Sequence, residues 1–295
     1  MPSTVLSRVT ADDVVTDPFP NIVVPNALPP ELLSRLMAEM PTFETVRTGR
    51  ENLRGRLPGN TRIHYVGQEL LADPKVTTVW KEFVSTHTSP EFFAQLLRIF
   101  ADRIRRLHPE LEGRFGQLPR IKTGIRHVDD YTHSDLLLDA LLVFNSPVVS
   151  QPTSVRRAHL DSPRKLFTGL LYLRDPDDRS AGGDLELYTF KGGRVRGFDG
   201  PEIDDTYVRH AKTIAYGHNV LVLFLNSINS VHGVTVRHPT PFRRCFVSLV
   251  GELRAPLFEL SPYQQPWPLR ALRRLRRRGA AWLRRRLPPA RAARA

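Results

Sequence analysis

A close succession of short β-strands in the second half of the chain most constrains its fold. From residue 155 onward, apolar runs alternate with turn-forming residues. This pattern predicts strands at 155–161, 167–174, 184–190, 206–208, 211–216, 218–225, 231–236 and 242–250. Two further strands are predicted at 121–128 and 136–144. Strands spaced so closely, without helices between them, favour a double-sheet jelly roll over alternating strand–helix units.

The first 120 residues predict one short strand and several helices. The strand lies within 17–28 and leads into a helix over 31–40, whose first turn follows two prolines. Residues 41–75 show little periodicity and receive no assignment. Helical spacing resumes at Val76 and again after Ser89-Pro90, an N-cap pair that opens a long amphipathic helix. We expect that helix to pack on the outer face of the sheet.

The predicted fold is therefore mainly β with flanking helices (α+β), built on a jelly-roll core, the double-stranded β-helix. Three segments are expected: an N-terminal α/β segment over 1–120 that packs on the core, the jelly-roll core over 121–254, and a tail over 255–295 that is rich first in proline and then in arginine.

Two stretches carry side chains that can bind a metal ion. His159 and Asp161 stand two positions apart on a predicted strand, so their side chains point to the same side. His232 follows the apolar run 220–225. Two imidazoles and one carboxylate form the ligand set of non-haem Fe(II) oxygenases, which leaves positions on the metal open. A histidine that is simply hydrogen-bonded in its strand is the alternative for each of these two.

Further motifs occur in a fixed order around these ligands. Tyr172-Leu173 and Gly182-Gly183-Asp184-Leu185 lie between them, and Arg243-Arg244 open the last predicted strand. The order His-x-Asp, Tyr-Leu, Gly-Gly-x-Leu, His-Gly-Val and Arg resembles the 2-oxoglutarate and Fe(II)-dependent dioxygenase superfamily, in its prolyl-hydroxylase-like branch. The resemblance covers roughly residues 150–252.

The resemblance implies a reaction and the residues for it. His159, Asp161 and His232 would be the metal ligands and catalytic residues, with Fe(II) as the metal, 2-oxoglutarate and O2 as co-substrates, and ascorbate as the reductant in an assay. A carboxylate at position 161, where related halogenases have a small residue, favours hydroxylation. The distal carboxylate of 2-oxoglutarate would need an arginine on the last strand. Arg243 and Arg244 are adjacent, so one faces inward and the other outward, and the sequence leaves open which.

Tyr172 is the third residue that the resemblance assigns to 2-oxoglutarate. It stands where a strand tyrosine in relatives hydrogen-bonds the same carboxylate, and a buried tyrosine bonded to a backbone carbonyl is an equal alternative. Gly182-Gly183 are expected to allow a tight turn and need no ligand.

The formal net charge of +13 is concentrated in the tail. Residues 262–295 contain eleven arginines and no acidic residue, and removing those charges from +13 leaves +2 for the rest of the chain. A basic amphipathic helix over 269–287 could contact an anionic surface peripherally, and a solvated extension is the alternative. No motif for specific nucleic-acid recognition occurs. One cysteine and the lack of a signal-peptide pattern indicate the cytoplasm.

The substrate is the least constrained part of the prediction. The similarity of the N-terminal part to relatives that act outside ribosomal or chromatin contexts favours a small molecule or a sugar-containing metabolite. A polar or anionic substrate would fit the charged residues near the predicted site, namely Arg126, His127, Asp129, Asp130, Arg156 and Arg157. Two other functions stay open. One is a non-catalytic cupin-like binding module whose basic tail contacts membrane or nucleic acid, and the other is a zinc hydrolase, which also uses His and Asp ligands.

Overall fold

The computed structural model describes residues 4–47, 59–192 and 202–259. The α-helices in these ranges are α1 Pro30–Ala38, α2 Phe43–Arg47, α3 Gly67–Ala72, α4 Thr78–His87, α5 Pro90–Leu107 and α6 Glu110–Phe115. The strands are β1 Asn21–Pro25, β2 Arg62–Tyr65, β3 Thr123–Ile125, β4 Leu136–Asn145, β5 Lys165–Leu173, β6 Leu185–Phe190, β7 Val208–Ile214, β8 His218–Leu225, β9 His232–Val234 and β10 Arg244–Leu253. Short 3-10 helices occupy Ala11–Asp13, Leu118–Arg120 and Asp205–Tyr207.

Two sheets form the β core. The larger has seven strands in the order β1-β8-β5-β10-β4-β2, all antiparallel, with β3 added parallel to β4. The smaller has three antiparallel strands in the order β7-β6-β9. This architecture confirms the predicted mainly β fold with two packed sheets and flanking helices. Strands β1 and β2 come from the first 120 residues, and they pair with β8 and β4.

The two faces of the larger sheet bury different sets of side chains, because successive strand residues point to opposite sides. On one face, Leu221 and Leu223 of β8 and Val247 and Leu249 of β10 join the main hydrophobic cluster with the helices. The other face meets the smaller sheet. There the second cluster combines side chains of both sheets, namely Val143, Tyr172, Val222, Phe224 and Phe246 of the larger and Leu185, Leu187 and Ile214 of the smaller.

Helices α4 and α5 cover the outer face of the larger sheet. Helix α5 begins as predicted: the Ser89 hydroxyl accepts a hydrogen bond from the Phe92 N–H at 3.2 Å, which satisfies one of the free amides of the first turn. Its buried side chains include Phe92, Phe93 and Phe100. Within the described residues, no helix combines the length and the apolar character needed to cross a bilayer.

Some local predictions differ from the structure. The predicted strand 155–161 is only an extended segment joined at His159 through isolated bridges. The predicted strand 206–208 lies mostly in a 3-10 helix, with Asp204 as its N-cap. The unassigned stretch 41–75 contains α2, β2 and α3. The predicted amphipathic helix of the tail lies outside the described residues.

Candidate metal centre

Backbone hydrogen bonds join the two segments that carry the candidate ligands, among them one from the Val234 N–H to the Arg156 carbonyl at 2.9 Å. The N–H of His159 donates to the carbonyl of His232 at 2.8 Å, and the N–H of His232 donates back at 3.0 Å. Residues directly opposite in an antiparallel pair project their side chains to the same side. The two imidazoles accordingly lie next to each other, with ring centroids 4.2 Å apart.

Asp161 completes a buried group of three candidate ligands. His159, Asp161 and His232 are each at most 5% exposed, and one ligand atom from each lies within 4.8 Å of the others. The Nε2 of His159 is 3.9 Å from Oδ1 of Asp161. The structure thus brings together the three side chains that the sequence pointed to.

Hydrogen bonds leave the same nitrogen of both imidazoles free. Nδ1 of His159 lies 2.8 Å from the Arg157 carbonyl, and Nδ1 of His232 lies 3.0 Å from the Ser230 carbonyl. A carbonyl only accepts, so Nδ1 carries the proton and Nε2 keeps a lone pair. Burial lowers the pKa of His232, and burial together with the neighbouring His232 lowers the pKa of His159. Both rings are therefore neutral near pH 7, as metal ligands must be.

Outer contacts fix the Asp161 carboxylate. Its Oδ2 accepts hydrogen bonds from the Thr168 hydroxyl at 2.7 Å and the Lys165 ammonium at 3.2 Å. The amide of Asn226 donates in turn to the Thr168 hydroxyl at 3.0 Å. Burial alone would raise the pKa of Asp161, but the Lys165 ammonium and the Thr168 hydrogen bond hold that pKa well below its usual range. The carboxylate is ionised, and its Oδ1 faces the imidazoles.

Arg244 enters the same cavity from the larger sheet. It is 2% exposed, and its Nε donates to the Gly183 carbonyl at 2.8 Å. Its guanidinium carbon lies 4.8–5.2 Å from the ring centroids of Tyr172, Tyr216 and Phe246, within the range of cation–π attraction. One guanidinium nitrogen, Nη2, is buried without a hydrogen-bond partner. A buried cation with an unused donor is costly unless an anion occupies the space beside it.

The two adjacent arginines lie on opposite faces of β10. Arg244 shares the cavity face with Phe246 and Ser248, whereas Cys245 and Val247 belong to the helix-side cluster. Arg243 is exposed, and its guanidinium carbon is 4.8 Å from the Phe43 ring centroid. Of the two candidates for binding 2-oxoglutarate, Arg244 is thus the one inside the cavity.

Tyr172 lies beside Arg244 with its hydroxyl buried and unpaired. The side chain is 0% exposed, and the hydroxyl oxygen has no hydrogen-bond partner. Burial raises the pKa of Tyr172, so the hydroxyl stays protonated and can donate. The neighbouring Tyr216, which the sequence did not single out, uses its own hydroxyl on the backbone of Cys245.

The glycine pair supports Arg244 instead of only turning the chain. Gly182 and Gly183 have φ of +84° and +86°, and a Cβ on Gly182 would stand 1.9 Å from the Val236 carbonyl oxygen. A Cβ on Gly183 would lie 3.2 Å from Cδ of Arg244. Only glycine allows this close approach, through which the Gly183 carbonyl reaches the guanidinium.

Several residues of the cavity wall were not identified from the sequence as site residues. Besides the triad, Arg244 and Arg156, the cavity is lined by Arg62, Asn145, Lys165, Thr168 and Ser248 among others. Arg62 belongs to the stretch that received no assignment. The polar–apolar alternation Arg62-Ile63-His64-Tyr65 after a turn was the signal for a strand there.

Most of the charged residues that were considered for substrate binding lie elsewhere. Arg126 contacts Asp139 and Glu252 at 3.7 and 3.3 Å, and Arg157 contacts Asp205 at 3.2 Å. Arg156 is the one that lines the cavity. A larger cavity of about 720 Å³ between α5 and residues 119–123 is mostly apolar and contains none of the triad.

Comparison with known proteins gives structural matches. No family model matches the chain, and no curated protein matches it. Among solved structures, it is similar to a prolyl 4-hydroxylase of Phytophthora capsici, with 16% identity, a TM-score of 0.45, and coverage of 84% of this chain and 63% of the other. A Pseudomonas putida prolyl-4-hydroxylase matches with 15% identity, a TM-score of 0.39, and coverage of 80% and 93%.

A third match is a complex. The epimerase SnoN with Fe3+, alpha ketoglutarate and nogalamycin RO has 14% identity and a TM-score of 0.41, with coverage of 84% and 86%.

Proposed function

We propose that this protein is an Fe(II)- and 2-oxoglutarate-dependent dioxygenase that hydroxylates a small molecule or a sugar-containing metabolite. The observation that carries the proposal is the position of a buried His-Asp-His group in the same cavity as an arginine with an unused donor. A structural role would explain either feature alone, but not both in one cavity.

The donor set fits Fe(II). Two imidazole nitrogens and one carboxylate oxygen are the ligands of non-haem Fe(II) oxygenases, and they leave three octahedral positions for a bidentate oxo-acid and O2. His159, Asp161 and His232 supply these atoms in the protonation states that a metal requires. Because Thr168 and Lys165 occupy Oδ2 of Asp161, only Oδ1 is offered to the metal.

The inner arginine fits the distal carboxylate of 2-oxoglutarate. The Gly183 carbonyl and three aromatic rings hold the Arg244 guanidinium in place, and its Nη2 has no hydrogen-bond partner in the protein. A carboxylate there would accept a charge-assisted hydrogen bond from Arg244 and a second bond from the Tyr172 hydroxyl. These two orphaned donors are the residues that would bind the co-substrate.

With Fe(II), 2-oxoglutarate and O2 bound, the overall reaction puts one oxygen atom of O2 into a C–H bond of the substrate and the other into succinate, with release of CO2. The protein contributes position and shielding. The three ligand side chains are at most 5% exposed, so bulk water is kept from the reacting atoms. Both imidazoles keep their orientation through carbonyl hydrogen bonds, and Asp161 through Thr168 and Asn226.

The proposal is tested by anaerobic addition of 2-oxoglutarate to the Fe(II) protein. We expect a visible charge-transfer band, and on admission of air, with ascorbate present, conversion of 2-oxoglutarate to succinate. The His159→Ala/Asp161→Ala double variant should lack both signals, whereas Arg243→Gln should keep them. Succinate formation that survives in the double variant would overturn the proposal. Metal binding without any 2-oxoglutarate-dependent O2 uptake would instead support a cupin-like binding module.

A further inference from the structure

We propose that the substrate carries an oxyanion, a carboxylate or a tetrahedral phosphate-like or sulfate-like group, and that Arg62 and Asn145 bind it in the active-site cavity. This inference deepens the proposed function, since it takes the cavity of the metal centre as the place where the substrate binds. Three neighbouring strands, an unpaired amide and the positive charges that the metal and its co-substrate leave unbalanced support it.

Register places a row of polar side chains across the larger sheet. Asn145 of β4 stands directly opposite Arg244 of β10 on one side and Arg62 of β2 on the other. Directly opposed residues project to the same face of a sheet, and all three line the cavity of the metal centre. A cation, an amide and a second cation thus follow one another across the cavity wall.

Asn145 is a buried donor without a partner. It is 1% exposed, and its Nδ2 has no hydrogen-bond partner in the structure. An amide that is buried and unpaired destabilises the structure unless a ligand accepts its hydrogen bond. The neighbouring strands offer no acceptor at this position, because both flanking side chains are guanidinium groups that only donate.

Arg62 is a cation that makes no ion pair with any residue that the structure describes. Within residues 4–47, 59–192 and 202–259, no carboxylate lies in ion-pair range of its guanidinium. Its guanidinium carbon is 5.8 Å from the Phe246 ring centroid, and it remains accessible to solvent. It stands at the edge strand β2, beyond Asn145 as seen from Arg244. An anion that enters the cavity from solvent would therefore come close to Arg62.

The charges of the cavity favour an additional anion. Arg244 and the metal are balanced in the proposed complex by the two carboxylates of 2-oxoglutarate and by Asp161. The single charge of Asp161 therefore does not also neutralise Lys165 at 3.2 Å and Arg156 at 3.9 Å. Together with Arg62, these two side chains leave the cavity positively charged, and a cationic substrate would be repelled from this wall. A planar guanidinium next to an amide donor suits an oxyanion, which can accept from both.

The test observes the Asn145 side-chain amide directly, so that anions bound by the arginine tail do not contribute. Full-length, 15N-labelled protein with diamagnetic Zn(II) and 2-oxoglutarate is titrated in separate arms with sulfate and with acetate. The amide signal is assigned by its loss in Asn145→Leu. We expect a saturable shift with at least one anion, and the stronger arm distinguishes a tetrahedral from a carboxylate group.

Variants then identify the cation involved. Arg62→Gln should raise the half-saturating concentration roughly tenfold, as expected for loss of one charge-assisted hydrogen bond, and Arg243→Gln should leave it unchanged. The absence of a saturable shift in both arms, or an unchanged midpoint in Arg62→Gln, would refute the anion site.

The affinity for 2-oxoglutarate is measured in the same samples. It should be unaffected by Arg62→Gln, and a matching loss would mean that Arg62 binds the co-substrate and the inference is wrong. If 2-oxoglutarate fails to bind while Asn145 still responds to anions, the proposed function fails and the anion site stands.

Discussion

Buried polar side chains on the two sides of the seven-stranded sheet differ in whether the protein supplies their hydrogen-bond partners. On the helix side, His87 is 1% exposed and uses both ring nitrogens: Nδ1 donates to the Phe83 carbonyl at 2.7 Å, and Nε2 accepts from the Val5 N–H at 3.1 Å. On the cavity side, Asn145, Tyr172 and Arg244 each keep a buried donor unpaired. The buried histidine has all its hydrogen-bond partners within the protein, whereas the three cavity residues need a ligand to pair their buried donors.

The comparison also separates two parts of the cavity itself. The proposed metal ligands are held by hydrogen bonds within the protein, so their geometry is set before any ion binds. Strand register places the side chains of Arg62, Asn145 and Arg244 in a row, and in this row Nδ2 of Asn145 and Nη2 of Arg244 are buried without a hydrogen-bond partner. The protein therefore supplies the hydrogen-bond partners of His159, Asp161 and His232, whereas Asn145 and Arg244 need partners from a bound ligand.

The largest expected effect tests the unpaired donor on the cavity side. Arg244→Met keeps an unbranched apolar stem but removes the guanidinium, so the affinity for 2-oxoglutarate should fall by about 2–5 kcal/mol. The readout is an anaerobic titration of the charge-transfer band of the Fe(II) protein. Arg243→Gln, on the exposed side of the same strand, should change the affinity by less than about 0.5 kcal/mol. Equal losses in both variants would remove the distinction between the two faces.

The next prediction concerns the fully paired histidine on the helix side. Burial lowers the pKa of His87 to about 4, from 6.5 in the unfolded chain. Between these values the unfolded state binds more protons, so the free energy of unfolding falls as the pH drops from 6.5 towards 4, by about 3 kcal/mol in total. Urea unfolding at several pH values measures this slope.

His87→Gln isolates the contribution of that ring. Glutamine carries no titrating proton. Between pH 4 and 6.5, the free energy of unfolding of the variant should therefore depend less steeply on pH than that of the wild type, by the equivalent of about one proton. If wild type and variant have the same slope over this window, the ring is not held neutral by its burial.

The smallest expected effect lies in the outer contacts of the metal ligands. Thr168→Val preserves the shape but removes the hydroxyl that donates to Asp161 and accepts from Asn226. Fe(II) affinity should fall roughly 10–100-fold, as is usual for loss of an outer-shell partner. Thr168→Ser restores the hydroxyl and should recover most of the affinity. Competition with a chelator measures it, and a full effect in the serine variant would argue for packing as the cause.

Much of the site was predictable because its determinants are local. His-x-Asp places two side chains on one side of any extended segment, and the adjacency of Arg243 and Arg244 forces one of them inward. Which of the two faces inward depends on the register of β10 against β4 and β5, which no local pattern fixes.

The rest of the site depends on contacts that are distant in sequence. Strand β2 has four residues and lies at the sheet edge, too short for its alternation to stand out, so Arg62 was missed. Asn145 comes directly after the predicted strand 136–144 and has no local feature that marks it as a site residue. Its burial comes from the two strands that flank it. The segment around His159 was predicted as a strand, but its pairing is limited to single bridges.

The pairing of His159 with His232 has a consequence for how the molecule would respond to loss of a bound ion. Apart from this pair, the N–H of Val234 donates to the Arg156 carbonyl at 2.9 Å, so a metal held by both rings would add a cross-link to a short stretch of pairing. Chelation should accordingly speed deuterium uptake at these two amides first, while the amides of β10 stay protected. The ion would then help to hold the segment around His159 against the edge of the smaller sheet, in addition to its role in the reaction.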